Sequence, residues 1–286
     1  VCVAKAAGVK DVIVSTPARD GVNPSAVVLA AAHIAGADRV FRLGGAQGIA
    51  AMAYGTESVP KVDKICGPGN IFVAMAKQQL FGQVGIDGVF GPTETVVVAD
   101  DSADPAVCAA DLLGQAEHDT LATPVLVTTS ETLLRQVERE VEVQLQAMAK
   151  KEIAAAALDG QGALILVDTL EQAIEVGNLI APEHLCLNVR DPWRWVVQVR
   201  NAGGLFVGAH SAEVMGDYVA GPSHTLPTHG TARFASYLGA DQFIKRIPVV
   251  ALSPEDARRL APAAATIAYA EGFTGHAKAA EMRATG

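Results

Sequence analysis

Cysteine is scarce here and never closely spaced: Cys2, Cys66, Cys108 and Cys186 are scattered, with no CxxC among them. That spacing argues against a thiolate metal site or a disulfide framework, and predicts reduced, mostly buried thiols in a cytoplasmic protein. Basic charge is in deficit too. There are 22 Lys and Arg against 31 Asp and Glu, a net charge of -9. A chain so balanced lacks the basic patch that nucleic acid or an anionic membrane surface requires, and neither is expected as a partner. No apolar run approaches the roughly 18 residues of a membrane-spanning helix, and no basic, apolar, small-residue leader is read. Repeats and low-complexity tracts are absent, and so is a G-x-G-x-x-G dinucleotide fingerprint.

What remains is rich in core material. Half of the 286 residues are hydrophobic and 19% are charged, a length and composition that suit two large units plus an accessory element. Strand-like apolar runs fall at 11–15, 39–43, 95–99, 124–128, 163–167, 185–189 and 204–207. Helical patterns separate them, at 24–36, 46–54, 70–81, 105–118, 131–150, 170–181 and 191–201. Strands alternating with helices of this length predict parallel α/β units. Gly91-Pro92 marks one break, and the Gly- and Pro-rich stretch 216–230 reads as a loop. Beyond Asp241 only helices are expected, at 254–270 and 272–283.

The seven histidines carry most of the chemical information. Gln115 and His118, three apart near the end of a predicted helix, share a face there and can offer an amide oxygen and an imidazole to one metal ion. The plainer alternative is a helix-ending His that meets the helix dipole. Glu183 and His184 adjoin at a helix-to-strand junction and offer two proton acceptors; a surface Glu beside a core His is the rival reading. Asp217 and His224 lie on the Gly- and Pro-rich stretch, a rigid polar loop of the kind that holds a ligand, although an Asp can equally cap a turn. Glu271 and His276 flank a Gly-containing turn in the terminal helical segment. His33, His210 and His229 read as ordinary helix and loop residues. Pooled, a Gln, an Asp and two or more His make a mixed N/O zinc shell without thiolate, of the open kind that suits catalysis. Gly44-Gly-Ala-Gln-Gly48 and Cys66-Gly-Pro-Gly-Asn70 each precede a helix. Asn70 can cap the second helix, whose amide-rich start would accept a phosphate, but many such turns bind nothing.

Seven strings turn these hints into a pattern. They are 44–56 (GGAQGIAAMAYGT), 59–70 (VPKVDKICGPGN), 81–87 (FGQVGID), 111–119 (DLLGQAEHD), 181–185 (APEHL), 216–228 and 271–276. In this order, across nearly the whole chain, they resemble the histidinol dehydrogenase family. The resemblance implies zinc ligands at Gln115, His118, Asp217 and His276, and an acid/base pair at Glu183 and His184. It implies substrate contacts from the same ligand residues and from Thr93, His184, His224 and Glu271, and NAD contacts from Gln47 and Asn70. Thr93 stands where the family usually has Ser, and Ser223 where many members carry Asn; both bear on the substrate pocket. The family's polypeptide also has an N-terminal stretch ahead of the point where Val1 aligns, which supplies part of a first Rossmann-like domain. The given sequence is accordingly expected to be a truncated record, since half a domain would leave apolar surface bare.

The expected fold is α/β: two Rossmann-like units with parallel-rich sheets, one incomplete at its N-terminus, plus a helical C-terminal appendage. The expected domains are 1–92 contacting NAD, 93–237 as the rest of the catalytic domain, and 238–286 as a dimerisation arm. In the family that arm reaches across a homodimer, so Glu271 and His276 would serve the neighbouring site. The expected activity is NAD-dependent, zinc-requiring oxidation of L-histidinol through L-histidinal to L-histidine, the last steps of histidine biosynthesis. Three alternatives stand beside it. One is a same-family dehydrogenase for another small polar alcohol, such as a dihydroxypropanesulfonate. The second is a zinc hydrolase, which the NAD-matching Gln47 and Asn70 speak against. The third is an inactive truncated fragment.

Overall fold

The computed structural model describes residues 1–18 and 23–284. By its internal contacts the chain divides into Val1–Ile244 and Lys245–Gly286, and each unit is described by itself.

The first unit opens with α1 (Cys2–Ala6) and two small parallel pairs. β1 (Ile13–Ser15), α2 (Ala26–Ile34) and β2 (Arg39–Phe41) form one; α3 (Gly45–Tyr54) leads into the other, β3 (Lys64–Ile65), α4 (Ile71–Leu80) and β4 (Gly85–Ile86). Ile49, Met52, Ala53, Val59, Ile65, Ala76 and Val84 pack between these elements. β3 and β4 are two residues each, too short for any periodicity to show in the sequence.

A five-stranded parallel sheet follows: β5 (Glu94–Ala99), α5 (Pro105–Ala116), β6 (Thr123–Thr128), α6 (Glu131–Leu145), α7 (Lys151–Gln161), β7 (Ala163–Leu166), α8 (Leu170–Ile180), β8 (His184–Asn188), β9 (Gly204–Val207) and the short α9 (Glu213–Tyr218). The strand order is β7-β6-β5-β8-β9. The chain winds outward from β5, then crosses back to its other side, so the winding reverses between β5 and β8. Successive side chains of a strand face opposite ways, and β5 uses both faces. Val96 and Val98 pack with Leu185, Leu187, Ala173 and Ile174, while Val97 and Ala99 pack with Cys108, Leu112, Leu133 and Val137. Burial on both faces explains why these strands read as continuous apolar runs rather than alternating ones.

The parallel α/β class read from the sequence is the observed one, but three segments differ. The expected helix 191–201 consists of two 3-10 turns, Pro192–Arg194 and Val196–Gln198. The Asn178 side chain stops it: Oδ1 accepts from the Arg200 and Asn201 N–H groups at 2.7 and 3.2 Å, and Nδ2 donates to the Gln198 carbonyl at 3.0 Å. Those backbone groups are taken from any helical ladder. The expected helix 131–150 ends at Leu145, and α7, unread in the sequence, follows it. The stretch expected as loop begins inside α9, which carries Asp217. Of the four cysteines, Cys108 and Cys186 are buried while Cys2 and Cys66 are exposed, and all are free. Among the described residues no helix is long and apolar enough to cross a membrane.

The second unit is a helical pair, α10 (Pro254–Ala270) and α11 (Thr274–Ala284), closed by Ala265, Ala268 and Ala277. Ser253 caps α10 by accepting from the Asp256 N–H at 3.1 Å, with Pro254 at the first helical position, where its missing N–H costs nothing.

Candidate active site

β5 and β8 lie side by side with Thr95 opposite His184. This register brings Thr93, Glu94 and Thr95 beside Glu183 and His184 at the amino ends of the two central strands. α5 runs back across the sheet and delivers Gln115 to the same edge. In doubly wound sheets ligands generally gather at the carboxyl ends of the strands; here the polar cluster occupies the opposite edge. Gln47 and Asn70 do follow the general rule, on the first turn of α3 after β2 and at the cap of α4 after β3.

Thr93 is the hub of one half of the cluster. Its hydroxyl donates to Glu183 Oε2 and accepts from the Gln115 amide. Glu94 fixes the backbone around it, because its Oε2 accepts from the N–H of Glu183 at 3.3 Å and of His229 at 3.1 Å. Burial is the main cause raising the Glu183 carboxyl to about 7, and the nearby Glu94 and Asp217 charges add to it.

His184 is the hub of the other half. Its Nε2 lies 2.8 Å from His224 Nε2, and the two rings stack at 5.0 Å. His224 Nε2 in turn lies 3.0 Å from Asp217 Oδ1. Phe206 packs tilted against both rings, at 5.7 and 6.2 Å. Burial, then the neighbouring His224, pulls His184 down to about 3, so the imidazole is neutral at physiological pH. His118 adds to the depression of both imidazoles, which puts it within electrostatic reach of them.

The structure thus unites Thr93, Gln115, Glu183, His184, Asp217 and His224 in one contact network, with His118 nearby. His118 does not sit on α5 as expected: the helix ends at Ala116, and His118 follows its cap with its N–H donating to the Gln115 carbonyl at 3.2 Å. Glu271 and His276 belong to the second unit, Glu271 as the cap of α10 and His276 on α11 with its ring 5.3 Å from Phe273. Among the described residues, no three His, Cys, Asp or Glu side chains form a ligating group. Gln115 donates its amide to Thr93, and Asp217 faces His224. Even so, an amide oxygen, an imidazole and a carboxylate are a donor set that zinc accepts.

Sequence reading missed three members. Glu94 and Thr95 sit within an apolar strand run, and Glu213, 5% exposed, accepts a hydrogen bond from the Thr95 hydroxyl. The one available clue to Glu213 is its spacing, four residues before Asp217 and hence on the same helix face.

The histidinol dehydrogenase family model matches residues 1–284. The chain belongs to the histidinol dehydrogenase family. It is 53% identical over 280 residues to the histidinol dehydrogenase of Thermus thermophilus, covering 98% of this chain and 67% of that protein. Against the Clostridium acetobutylicum enzyme the identity is 49%, with 98% and 65% covered. A crystal structure of histidinol dehydrogenase from Elizabethkingia anophelis superposes with a TM-score of 0.91 at 39% identity, covering 98% of this chain and 65% of that one. An acetylating aldehyde dehydrogenase from Geobacillus thermoglucosidasius, at 13% identity and a TM-score of 0.52 over 84% of this chain and 70% of that one, shares the fold. The chain spans about two thirds of the length of the family members it matches.

Proposed function

We propose that this member of the family oxidises L-histidinol through L-histidinal to L-histidine, with NAD as hydride acceptor and zinc as the resident metal. The observation that carries the reading is the pairing of Glu183 and His184. They are neighbours in sequence, yet one is a carboxyl held near neutrality and the other an imidazole held neutral. Two groups with pKa values pushed in opposite directions can serve two different proton transfers.

His184 Nε2 takes the alcohol proton as hydride leaves the carbinol carbon, giving the aldehyde. Glu183, once ionised, takes a proton from water as its oxygen adds to the aldehyde carbon. Loss of a second hydride from the resulting hydrate anion leaves the carboxylic acid, which releases a proton to become the carboxylate, so each histidinol yields two hydrides. Thr93 aims Glu183, while Gln115, Asp217 and His224 line the position of the substrate's polar end. Gln47 and Asn70 would hold NAD, which would supply the hydride acceptor when bound. Gln115, His118, Asp217 and His276 would hold zinc, which supplies positive charge that fixes the substrate's donor atoms. A homodimer in which Glu271 and His276 complete the neighbouring site, in the cytoplasm, accompanies this reading. The segments 1–92, 93–237 and 238–286 are its proposed NAD-contacting, catalytic and dimerisation parts.

The test is stoichiometric. L-histidinol supplied with excess NAD should yield two NADH and one L-histidine per substrate consumed. A second reading, oxidation of another small polar alcohol, is favoured by the extra methyl of Thr93 at the centre of the cluster. It prevails if a panel of polar alcohols gives NADH while histidinol does not.

A further inference from the structure

The polar atoms around His184 point to one assignment of its ring proton. His184 Nε2 and His224 Nε2 are 2.8 Å apart, so one of them donates to the other. The other ring nitrogen decides which. His184 Nδ1 lies 3.3 Å from the Glu94 carbonyl, which can only accept, and 3.4 Å from Thr95 Oγ1, so the ring proton of His184 sits on Nδ1 and Nε2 is the acceptor. The Thr95 hydroxyl spends its own proton on Glu213 Oε2, which lies 3.8 Å from the same Nδ1. Thr95 is 0% exposed and Glu213 5%, and no step of the proposed reaction uses either. A buried carboxyl group is costly unless it is hydrogen-bonded, as Glu213 is by Thr95.

We propose that Thr95 and Glu213 are positioning residues that hold His184 as its Nδ1–H tautomer and so keep Nε2 unprotonated as the base. They form a hydroxyl-bridged version of the base-and-orienting-group arrangement of nucleophilic enzymes, with Thr95 between imidazole and carboxyl. Glu213 accepts the Thr95 hydroxyl, which leaves the Thr95 oxygen to accept from Nδ1–H. Glu213 and Asp217 are one turn apart on α9, and that single turn supports both imidazoles: Asp217 at His224, Glu213 through Thr95 at His184.

The tautomer half stands on geometry; the catalytic half rests on the base role given to His184. Long-range proton–nitrogen correlation on histidine-labelled protein reads the tautomer directly, with His184 assigned by the signals lost in His184→Asn. The expected pattern is a protonated Nδ1 and a bare Nε2, kept in Thr95→Ser and Glu213→Gln and lost or mixed in Thr95→Val. A bare Nδ1 in the parent protein, or an unchanged pattern in Thr95→Val, overturns the proposal. In turnover, Thr95→Val and Glu213→Gln should each lower kcat on histidinol about tenfold or more, leave KM for NAD within about twofold, and keep the parent's zinc content, with Thr95→Ser near the parent. An undiminished kcat in Glu213→Gln removes Glu213 from the scheme. If the tautomers behave as expected while the parent oxidises no histidinol, the positioning device stands and the substrate reading falls.

Discussion

Lys77 and Asp87 meet at 2.5 Å with each side chain 1% exposed, and together they grip both sides of one residue, Gly67. Asp87 Oδ2 accepts from the Gly67 N–H at 2.6 Å, and Lys77 Nζ donates to the Gly67 carbonyl at 2.9 Å. The Lys77 ammonium also sits 4.5 Å from the centre of the Phe90 ring. Gly67 has φ +115, a conformation that strains any side chain. The pair thus braces the turn that ends in Asn70, the residue proposed to contact NAD.

Removing one partner strands the other charge in the core. Lys77→Met should cost about 3–5 kcal/mol in urea unfolding. The double variant Lys77→Met/Asp87→Leu, which strands no charge, should recover a large part of that loss. A single variant as stable as the parent would mean that the charges are not buried as described.

Glu183 gives a pH signature with a defined sign. Burial raises its folded pKa to about 7 from 4.5, so it favours the folded state at low pH and that contribution is lost as pH rises through about 7. Glu183→Gln removes the buried charge. The variant should therefore gain stability over the parent at pH 8, on the order of a few kcal/mol, with the gap closing towards pH 5. In catalysis the sign reverses, since only the ionised form can take a proton from water. Oxidation of supplied histidinal should climb with pH through about 7, and Glu183→Gln should slow that step at least as much as the alcohol step. Normal histidinal turnover by Glu183→Gln would take the water-activating role away from Glu183.

How far the sequence revealed this architecture differs from segment to segment. β5, β6 and β8 were legible because burial on both faces leaves runs such as Thr95–Ala99 almost wholly apolar. α7 was not, since its Ala-rich stretch has little face-to-face contrast and follows α6 after a short turn. The 3-10 turns after β8 depend on Asn178, about twenty residues away in the chain, and no local pattern carries that. At the site, residues with distinctive neighbours in sequence stood out, as Glu183, His184, Asp217 and His224 did. Thr95 and Glu213 did not, because a Thr opening a β-branched run and a Glu opening a short helix look ordinary until the fold joins them.

Zinc content is the direct check on the donor set. If Gln115, His118, Asp217 and His276 hold the metal, the active protein should carry about one zinc per subunit. Chelation should abolish oxidation, and His118→Ala should lower the zinc content while leaving the fold intact by circular dichroism. His118 is exposed beyond the end of α5, so its truncation opens no cavity. Full activity in a zinc-free preparation would refute the metal assignment.

The last prediction concerns His276 and a second copy of the chain. His276 lies on α11 in the unit Lys245–Gly286, apart in sequence from every other proposed ligand. The proposed homodimer makes it act in trans, and complementation reads this directly. His118→Ala and His276→Ala variants, each inactive alone, are unfolded and refolded together. If His276 serves the neighbouring site, each mixed dimer contains one wholly intact site and one doubly damaged site. Random pairing makes about half of the dimers mixed, so roughly a quarter of parental activity should return. If His276 serves its own subunit, both sites of every mixed dimer remain broken. Mixed dimers demonstrated by differential tagging, yet without recovered activity, would refute the shared site.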